Sequence, residues 1–374
     1  MRTGARCAAP LVALLLAGCP SPPPPPDIPP CGPDTLLTAP PLDPLDFVAV
    51  GPMGGVDPSR ELAFPSHALS FFVRPVDPRL PEGEAARVPV FAPARLWIQR
   101  VRRSFFAGRP DELAIGFRTC SDVQWSLERL VNAPPDIKAM AAPPNATCGG
   151  LGAVGDETSF CEGTSAGVEV AAGTELGLAG SAINRSLDVS VRDSHAQVFF
   201  VSGRQERFVC PLDSFDAPTA GALRSMLGTP DGRRRTAEPL CGEYMQDVRA
   251  TAQGNWNATA DGTQVALVHD SVDPSVAIVS ISTPVDSTSG SGPLVEGHVW
   301  RFTPTHSGNV NRDFREVTDD GTIYCYDAST GGDLPSIVLV QVTGEQIRYE
   351  QQDATACGAG PWTFNRTWTN LFTR

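Results

Sequence analysis

The sequence is poor in lysine and histidine. Lys138 is the only lysine among 29 basic residues, and there are five histidines. The formal net charge is −13 at pH 7, and the longest basic run is the arginine triplet at 233–235. A phosphate backbone attracts clustered positive charge, which this chain largely lacks. The composition therefore argues against nucleic acid as a partner.

Amphipathic helical patterns are also scarce. Only residues 217–228 predict a helix, whereas runs such as ALSFFVRP (68–75) and SLDVSVRD (186–193) alternate apolar and polar residues between turn residues. Alternation with a period of two predicts antiparallel sheet. We therefore predict a mainly β chain, in which an antiparallel β domain precedes a second all-β domain, either a barrel or a sandwich.

No long apolar run is present near the start. Residues 8–17 are apolar but shorter than the roughly 20 residues that a membrane-spanning helix needs. They follow Arg2 and Arg6 and lead into LAGC at 16–19, which matches the bacterial lipobox. This arrangement predicts a lipoprotein signal peptide.

Cys19 is accordingly predicted to be lipidated and to become the first mature residue, so the membrane is a partner through this lipid anchor. Ordinary secretion with a coincidental cysteine is the alternative. Residue 20 is proline rather than aspartate, which in a Gram-negative cell favours the outer membrane, facing the periplasm or the cell surface. The predicted location is therefore the cell envelope.

Composition divides the chain into five parts. Proline at high density favours an extended polyproline conformation, so the segment after Cys19 is predicted to be a semi-rigid tether. The predicted parts are a signal peptide (1–18), the tether (19–45), a first β domain (46–215), a helix and linker (216–240) and a C-terminal β domain (241–374).

The cysteines lack the CxxC spacing of many metal sites. Cys7 leaves with the predicted signal peptide and Cys19 takes lipid, which leaves an even number of cysteines in an exported chain. That pattern predicts disulfides. Three pairs would close loops of moderate length and a fourth pair remains: Cys148–Cys161, Cys210–Cys241, Cys325–Cys357 and Cys31–Cys120.

Part of the chain resembles the lysostaphin-like zinc endopeptidases, which cleave peptidoglycan cross-bridges. ARVPVFAPARLWIQRV (86–101) is similar to their VPVYAPADGTV strand pair, and VEVAAGTELGLAG (168–180) to a following hairpin. SLDVSV (186–191) stands where the family has its terminal HLHFEV strand. The resemblance covers roughly residues 47–200 and implies the family's β fold with a groove for peptides.

The metal ligands of that family are mostly absent. His67 stands where the first zinc histidine is expected, but Phe71 occupies the place of the aspartate. Ser186 and Asp188 stand in place of the two histidines of HxH. A catalytic zinc needs three protein ligands and an open position. We therefore predict no catalytic residue, no metal and no cofactor.

A further family histidine is replaced by either Glu128 or Arg129. The predicted remnant of the active-site groove consists of His67, Phe71, Glu128, Ser186 and Asp188.

Three other motifs have ordinary structural interpretations. GTSAG (163–167) spells the serine-hydrolase elbow around Ser165, but a β pattern follows where a helix is required. GLGAVG (150–155) lacks the strand and helix that a dinucleotide site needs. GNW (254–256) resembles the GxW opening of lipocalin-like barrels, although Trp256 is equally consistent with a core residue.

These observations lead to one functional hypothesis and two alternatives. The leading hypothesis is an envelope lipoprotein with a catalytically inactive peptidase-like domain that binds peptidoglycan or an envelope protein. The first alternative is a zinc peptidase acting on peptidoglycan with a rearranged metal site. The second is a binder of small apolar molecules that uses a C-terminal barrel.

Overall fold

The computed structural model describes most of the chain beyond the predicted signal peptide. The predicted signal peptide and Cys19 lie outside the described residues, as does most of the proline run. The described residues are 27–32, 36–56, 63–77, 86–143, 146–154, 157–180, 185–201, 205–258, 263–282, 298–327, 336–365 and 370–374.

The first domain is built almost entirely of strands. Its elements in chain order are β1 (Phe47–Gly51), β2 (Leu69–Val73), β3 (Val88–Phe91), β4 (Leu96–Phe106), β5 (Arg109–Arg118), β6 (Val123–Leu130), α1 (Pro135–Ala139), β7 (Thr147–Val154), β8 (Glu157–Val170), β9 (Glu175–Ala179), β10 (Ser186–Asp193), β11 (Val198–Phe199), β12 (Gln205–Glu206), β13 (Phe208–Val209) and α2 (Ala217–Arg224).

Nine of these strands form one antiparallel sheet in the order β1-β2-β10-β6-β5-β4-β8-β7, and β13 also pairs with β10. Strands β3 and β9 form a separate pair, as do β11 and β12. Because side chains alternate between the two faces of a strand, one face of the sheet can be apolar while the other is polar. Leu187, Val189 and Val191 of β10 belong to the core, whereas Ser186 and Asp188 point to the other face.

The packed part of the first domain begins before the predicted boundary at Asp46. Leu37 and Leu42, which the sequence assigned to the tether, are each 1% exposed and belong to the core. Leu37 also forms a bridge with Phe215. Burial of these two leucines gives part of the predicted tether a structural role in the domain.

Helix α2 forms within the segment predicted to be helical, but it is shorter. Asp216 caps its start by accepting a hydrogen bond from the backbone N–H of Thr219 at 2.9 Å, which satisfies one of the free amides of the first turn. Ala220, Leu223 and Leu227 pack into the core of the first domain. The predicted linker is therefore packed against that domain.

The C-terminal domain is an eight-stranded antiparallel sheet that curls into a nearly closed barrel. Pairing of its first and last strands gives the order β17-β16-β15-β14-β21-β20-β19-β18. Its strands are β14 (Gly254–Ala258), β15 (Gln264–His269), β16 (Ala277–Ile281), β17 (His298–Phe302), β18 (Tyr324–Asp327), β19 (Ser336–Thr343), β20 (Gln346–Asp353) and β21 (Asn370–Thr373). Of the two predicted architectures, the barrel is the observed one.

Aromatic side chains fill the interior of this barrel. They lie edge-on or tilted to one another, which is the preferred geometry of aromatic pairs; Phe302, Phe314 and Tyr326 have ring centroids 5.1 to 5.6 Å apart. Trp256 belongs to the same core and donates its indole N–H to the carbonyl of Ala252 at 2.9 Å. The domain is therefore held together by a packed core.

Four disulfides connect the loops and strands, and they are the four expected from the spacing of the cysteines. Cys31–Cys120 joins the segment before β1 to the first domain, and Cys325–Cys357 lies in the second. The other two are Cys148–Cys161 and Cys210–Cys241.

The two domains are in contact through apolar side chains. Val56 and Phe64 of the first domain pack against Ala266, Val268 and Ile278 on the outer face of the barrel. The barrel wall is thereby placed next to the polar face of the first sheet.

Candidate functional site

The structure brings three of the predicted groove residues to one cavity. His67, Glu128 and Asp188 line a cavity of about 390 Å³ between the polar face of the first sheet and the barrel wall. Ser186 lines an adjoining cavity of about 740 Å³. Both volumes fall within the range of roughly 300–1,000 Å³ that is usual for small-molecule sites.

Phe71 is not part of this arrangement. It is fully buried in the core and contacts Phe47 edge-on, with ring centroids 5.2 Å apart. The residue of β2 that faces Asp188 is Ser70, which lies opposite it in the strand pairing. A shift of one residue along a strand moves a side chain to the other face, so counting four residues on from His67 identified the wrong face.

Strand register places the acidic residues side by side. Asp188 of β10 lies directly opposite Glu128 of β6, and opposite Ser70 of β2 on its other side. Directly opposite residues in an antiparallel pair have their Cβ atoms about 5 Å apart. The polar face of three neighbouring strands therefore converges on Asp188.

A β-bulge adds Arg129 to this face. Between the pairs Leu113–Leu130 and Ile115–Leu127, β6 has two residues opposite one residue of β5. Arg129 adopts a φ of +72°, in the left-handed region that a residue with a Cβ seldom occupies. Bulges re-aim side chains, and this one turns Arg129 toward Asp188 instead of the core.

Three donors among the described residues hold Asp188. Its Oδ2 lies 2.5 Å from Nη2 of Arg129, and its Oδ1 accepts hydrogen bonds from the hydroxyls of Ser70 at 2.8 Å and Ser186 at 3.1 Å. Ser186 in turn accepts from Nη1 of Arg129 at 2.9 Å. Only 7% of the Asp188 side chain and 21% of the Arg129 side chain are exposed. We call Ser70, Arg129, Ser186 and Asp188 the Arg–Asp cluster.

Glu128 is the second carboxyl group on this face. Burial raises its pKa above the ordinary value, and the neighbouring charge of Asp188 raises it further. Ser126 donates a hydrogen bond to it at 3.2 Å, which opposes the shift. A carboxyl group with a raised pKa inside a cavity is a common feature of binding and catalytic sites.

His67 lies at the aromatic side of the cavity. Its ring stacks on that of Phe208, with centroids 3.7 Å apart and an interplanar angle of 22°, and it meets Tyr244 edge-on. The guanidinium of Arg192 also lies over the Phe208 ring, 4.3 Å from its centroid. The stack fixes the orientation of the imidazole.

The barrel supplies a wall that the sequence did not predict. Asn255, Asn257 and Gln264 line the cavity from β14 and β15. Trp256 lies between the two asparagines and points into the barrel, so alternation along β14 turns both amides outward. The only signal in the sequence is the Asn-Trp-Asn pattern at 255–257.

Arg374 closes the same side of the cavity. Its guanidinium lies 4.1 Å from the centroid of the Trp256 ring and donates hydrogen bonds to the carbonyls of Val248, Thr251 and Gln253. The end of β21 is thereby fixed to the segment that precedes β14.

The two motifs that match catalytic or nucleotide-binding patterns, GTSAG and GLGAVG, lie in strands. Ser165 is in β8 and donates its hydroxyl to the carbonyl of Ile98 at 2.8 Å, so it lacks the strand-to-helix turn of a nucleophile elbow. GLGAVG (150–155) lies largely in β7; its last glycine is outside the described residues.

Within the described residues there is no group of three or more His, Cys, Asp or Glu side chains placed to hold a metal ion. In the same part of the chain, no helix combines the length and apolar character needed to cross a membrane.

Comparisons of the chain with protein-family models, curated proteins and solved structures found no match. The resemblance to lysostaphin-like peptidases therefore stays a prediction from sequence motifs.

Proposed function

We propose that this protein is a non-catalytic binding protein of the bacterial cell envelope. In this proposal a lipid on Cys19 anchors it to the membrane, with the outer membrane favoured by Pro20. The first domain has the scaffold of a lysostaphin-like peptidase, and its former active-site face binds a peptide, either of peptidoglycan or of an envelope protein. This step from scaffold to ligand is an analogy between folds.

The observation that carries the proposal is the Arg–Asp cluster. Asp188 is the best placed carboxylate for a metal ion, but it is already neutralised by Arg129 and by two hydroxyl donors. A guanidinium stays protonated at any physiological pH. A cation approaching Asp188 would therefore have to displace a fixed positive charge, which supports a site built for binding instead of metal-assisted hydrolysis.

The position of the cavity supports a ligand between the domains. The cavity is lined by carboxyl, amide and aromatic groups from both domains, a mixture that suits a peptide better than an apolar molecule. The barrel interior is less suitable because Phe302, Phe314 and Tyr326 fill it. This argues for the groove over the barrel as the ligand site.

One observation favours the alternative of a peptidase with a rearranged metal site. His67, Glu128 and Asp188, all side chains of metal-ligating type, line the same cavity. Zinc measured by mass spectrometry in protein purified without chelator tests this alternative. One zinc per chain would support it and would overturn the non-catalytic proposal.

Co-sedimentation with purified sacculi tests binding to peptidoglycan. The wild-type protein is expected to pellet with sacculi, whereas Asn257→Trp, which fills the cavity from an exposed position of β14, is expected to stay in the supernatant. The matched control is Asn309→Trp in an exposed turn outside the cavity, which should pellet like the wild type. Wild-type protein that stays in the supernatant would refute binding to peptidoglycan.

A further inference from the structure

The outer face of the barrel turns three side-chain amides toward the cavity that it lines. Asn255 and Asn257 lie two residues apart on β14, and Gln264 of β15 is directly opposite Asn257 in the strand pairing. Residues two apart on a strand point to the same face and are separated by about 6.8 Å along it. We call Asn255, Asn257 and Gln264 the amide row. Its spacing along the barrel wall is that of a β-strand.

Two members of the amide row have a buried oxygen atom without a hydrogen-bond partner. Asn255 is 9% exposed, and no described residue donates a hydrogen bond to its buried Oδ1. Among the described residues, the same is true of the buried Oε1 of Gln264. Both residues are held through their backbone N–H groups, which donate to the side chains of Asp247 and Ser282 at 2.9 Å. The strands therefore position the two side-chain amides, and their oxygens can accept from a ligand.

A neighbouring buried amide has the arrangement that is usual inside proteins. Gln253 is fully buried; its Nε2 donates to the carbonyl of Gln246 and its Oε1 accepts from Nε of Arg315, both at 3.0 Å. Buried polar groups are nearly always paired in this way. Leaving an acceptor unpaired destabilises a protein, so a donor group brought into the cavity would stabilise the amide row.

The backbone of an extended peptide carries donors at the required spacing. N–H groups on one side of such a chain recur every second residue, about 6.8 Å apart, and the residues that carry the two unpaired oxygens are offset by the same step. Each side-chain amide can also donate to a peptide carbonyl. Other envelope polymers fit less well, because an amino sugar carries a single acetamido group and the stem peptides of peptidoglycan contain a γ-glutamyl linkage that interrupts the repeat.

We propose that the occupant of this cavity is an extended segment of another protein, which lies along the outer face of β14. Alternate backbone N–H groups of that segment donate to Asn255 and Gln264. Because neutral amides recognise the main chain, the side chains of the segment contribute less to recognition. This inference rests on the proposed function and chooses an envelope protein as the ligand instead of peptidoglycan.

The stability of the free protein tests the amide row without a ligand. Asn255→Leu keeps the size of the side chain and removes the unpaired oxygen, so its urea midpoint should be higher than that of the wild type. Gln264→Met should be at least as stable as the wild type. The matched control is Gln253→Met, which loses two hydrogen bonds and should unfold at lower urea. An Asn255→Leu variant that is less stable than the wild type would assign this amide a structural role and overturn the inference.

Selection from a displayed library of random octapeptides supplies a probe for binding. The tightest selected peptide is synthesised, and its binding to the full protein is measured by calorimetry. Asn255→Leu and Gln264→Met should each weaken its binding about tenfold, since each removes an acceptor for a backbone N–H, whereas Gln253→Met should bind it like the wild type. If no peptide is selected, or if both cavity variants bind it like the wild type, the inference is overturned.

Ester analogues of the selected peptide show which of its backbone groups are bound. Each analogue replaces one amide N–H by an ester oxygen, which removes a donor and leaves the charge and the side chains unchanged. Esters at two positions, two residues apart, should each weaken binding to the wild type about tenfold. Each of these esters should have no further effect in one of the two cavity variants. Equal effects of every ester would contradict an extended peptide on the amide row.

Two further probes separate this inference from the proposed function. Stem peptides released from sacculi by an amidase, and the glycan strands that remain, are measured in the same assay and should bind more weakly than the selected peptide. If either binds more tightly and Asn255→Leu abolishes that binding, the choice of a protein segment is wrong while the binding function survives. If none of the three probes binds, the proposed function fails as well.

Discussion

Replacement of Arg129 separates the energy of its ion pair from the strain in its backbone. In the wild type the Asp188 side chain is only 7% exposed. Arg129→Ala removes its guanidinium partner but keeps the hydroxyl donors of Ser70 and Ser186. Removing one partner of a buried pair costs about 3–5 kcal/mol. Because two hydroxyl donors remain and 21% of the Arg129 side chain is exposed, we expect the low end, about 3 kcal/mol.

Arg129→Gly loses the same ion pair but also removes the strain. A residue with a Cβ pays about 1–2 kcal/mol in the left-handed region that Arg129 occupies. Glycine loses about 0.5–1 kcal/mol more conformational entropy on folding. The glycine variant should therefore be more stable than the alanine variant by about 0.5–1 kcal/mol.

Urea unfolding followed by tryptophan fluorescence, with the disulfides intact, measures both differences. Arg102, in β4 and without a positive φ, is the control position, where glycine should be less stable than alanine. If Arg129→Ala is within 0.5 kcal/mol of the wild type, the ion pair does not have the energetic role inferred for it. If Arg129→Gly is less stable than Arg129→Ala, the strain argument fails.

Three further predictions concern protonation, the first core and a disulfide. The pKa of Glu128 is raised in the folded state, so protonation of this carboxyl group stabilises the fold, and that stabilisation is lost as pH rises through the folded pKa. The Tm of Glu128→Gln relative to that of the wild type should therefore increase from pH 4 to pH 7.5. A Tm difference that does not change with pH would contradict this. Leu37→Ala should cost about 3 kcal/mol in urea unfolding because the side chain is buried, whereas its neighbour Leu36, which is 38% exposed, should tolerate alanine within about 0.5 kcal/mol; equal effects would show that Leu37 is not in the core. Replacement of both Cys325 and Cys357 by alanine opens a loop with a sequence separation of 32 and should lower the free energy of unfolding by about 4 kcal/mol in the same assay. An unchanged urea midpoint would contradict this prediction.

Local patterns predicted much of the fold. Alternation in runs such as SLDVSVRD indicated the strands because a strand exposes every second side chain to the same environment, and β10 (Ser186–Asp193) is found there. The spacing of the cysteines also predicted the observed disulfides, since three of the pairs close loops of moderate length. The tether boundary at Asp46 was less accurate, because proline density does not reveal that Leu37 and Leu42 are buried.

The candidate site was predictable only in part. His67, Glu128 and Asp188 were proposed to share a groove, and they line one cavity. The choice of Phe71 failed because a one-residue offset, invisible in a motif comparison, changes the face of the strand. The role of Arg129 depends on a bulge in β6, and a single extra residue leaves no clear mark in the sequence.

The sequence by itself determined that this is a mainly β, acidic, disulfide-bonded chain, because alternation, charge and cysteine number are properties of composition and short-range order. Tertiary structure alone decided that Asp188 meets Arg129, since strand pairing joins residues 59 positions apart. It also decided that amides of the barrel face the first sheet. A groove between two domains depends on how the domains pack against each other. The local pattern of residues in either domain does not contain that information.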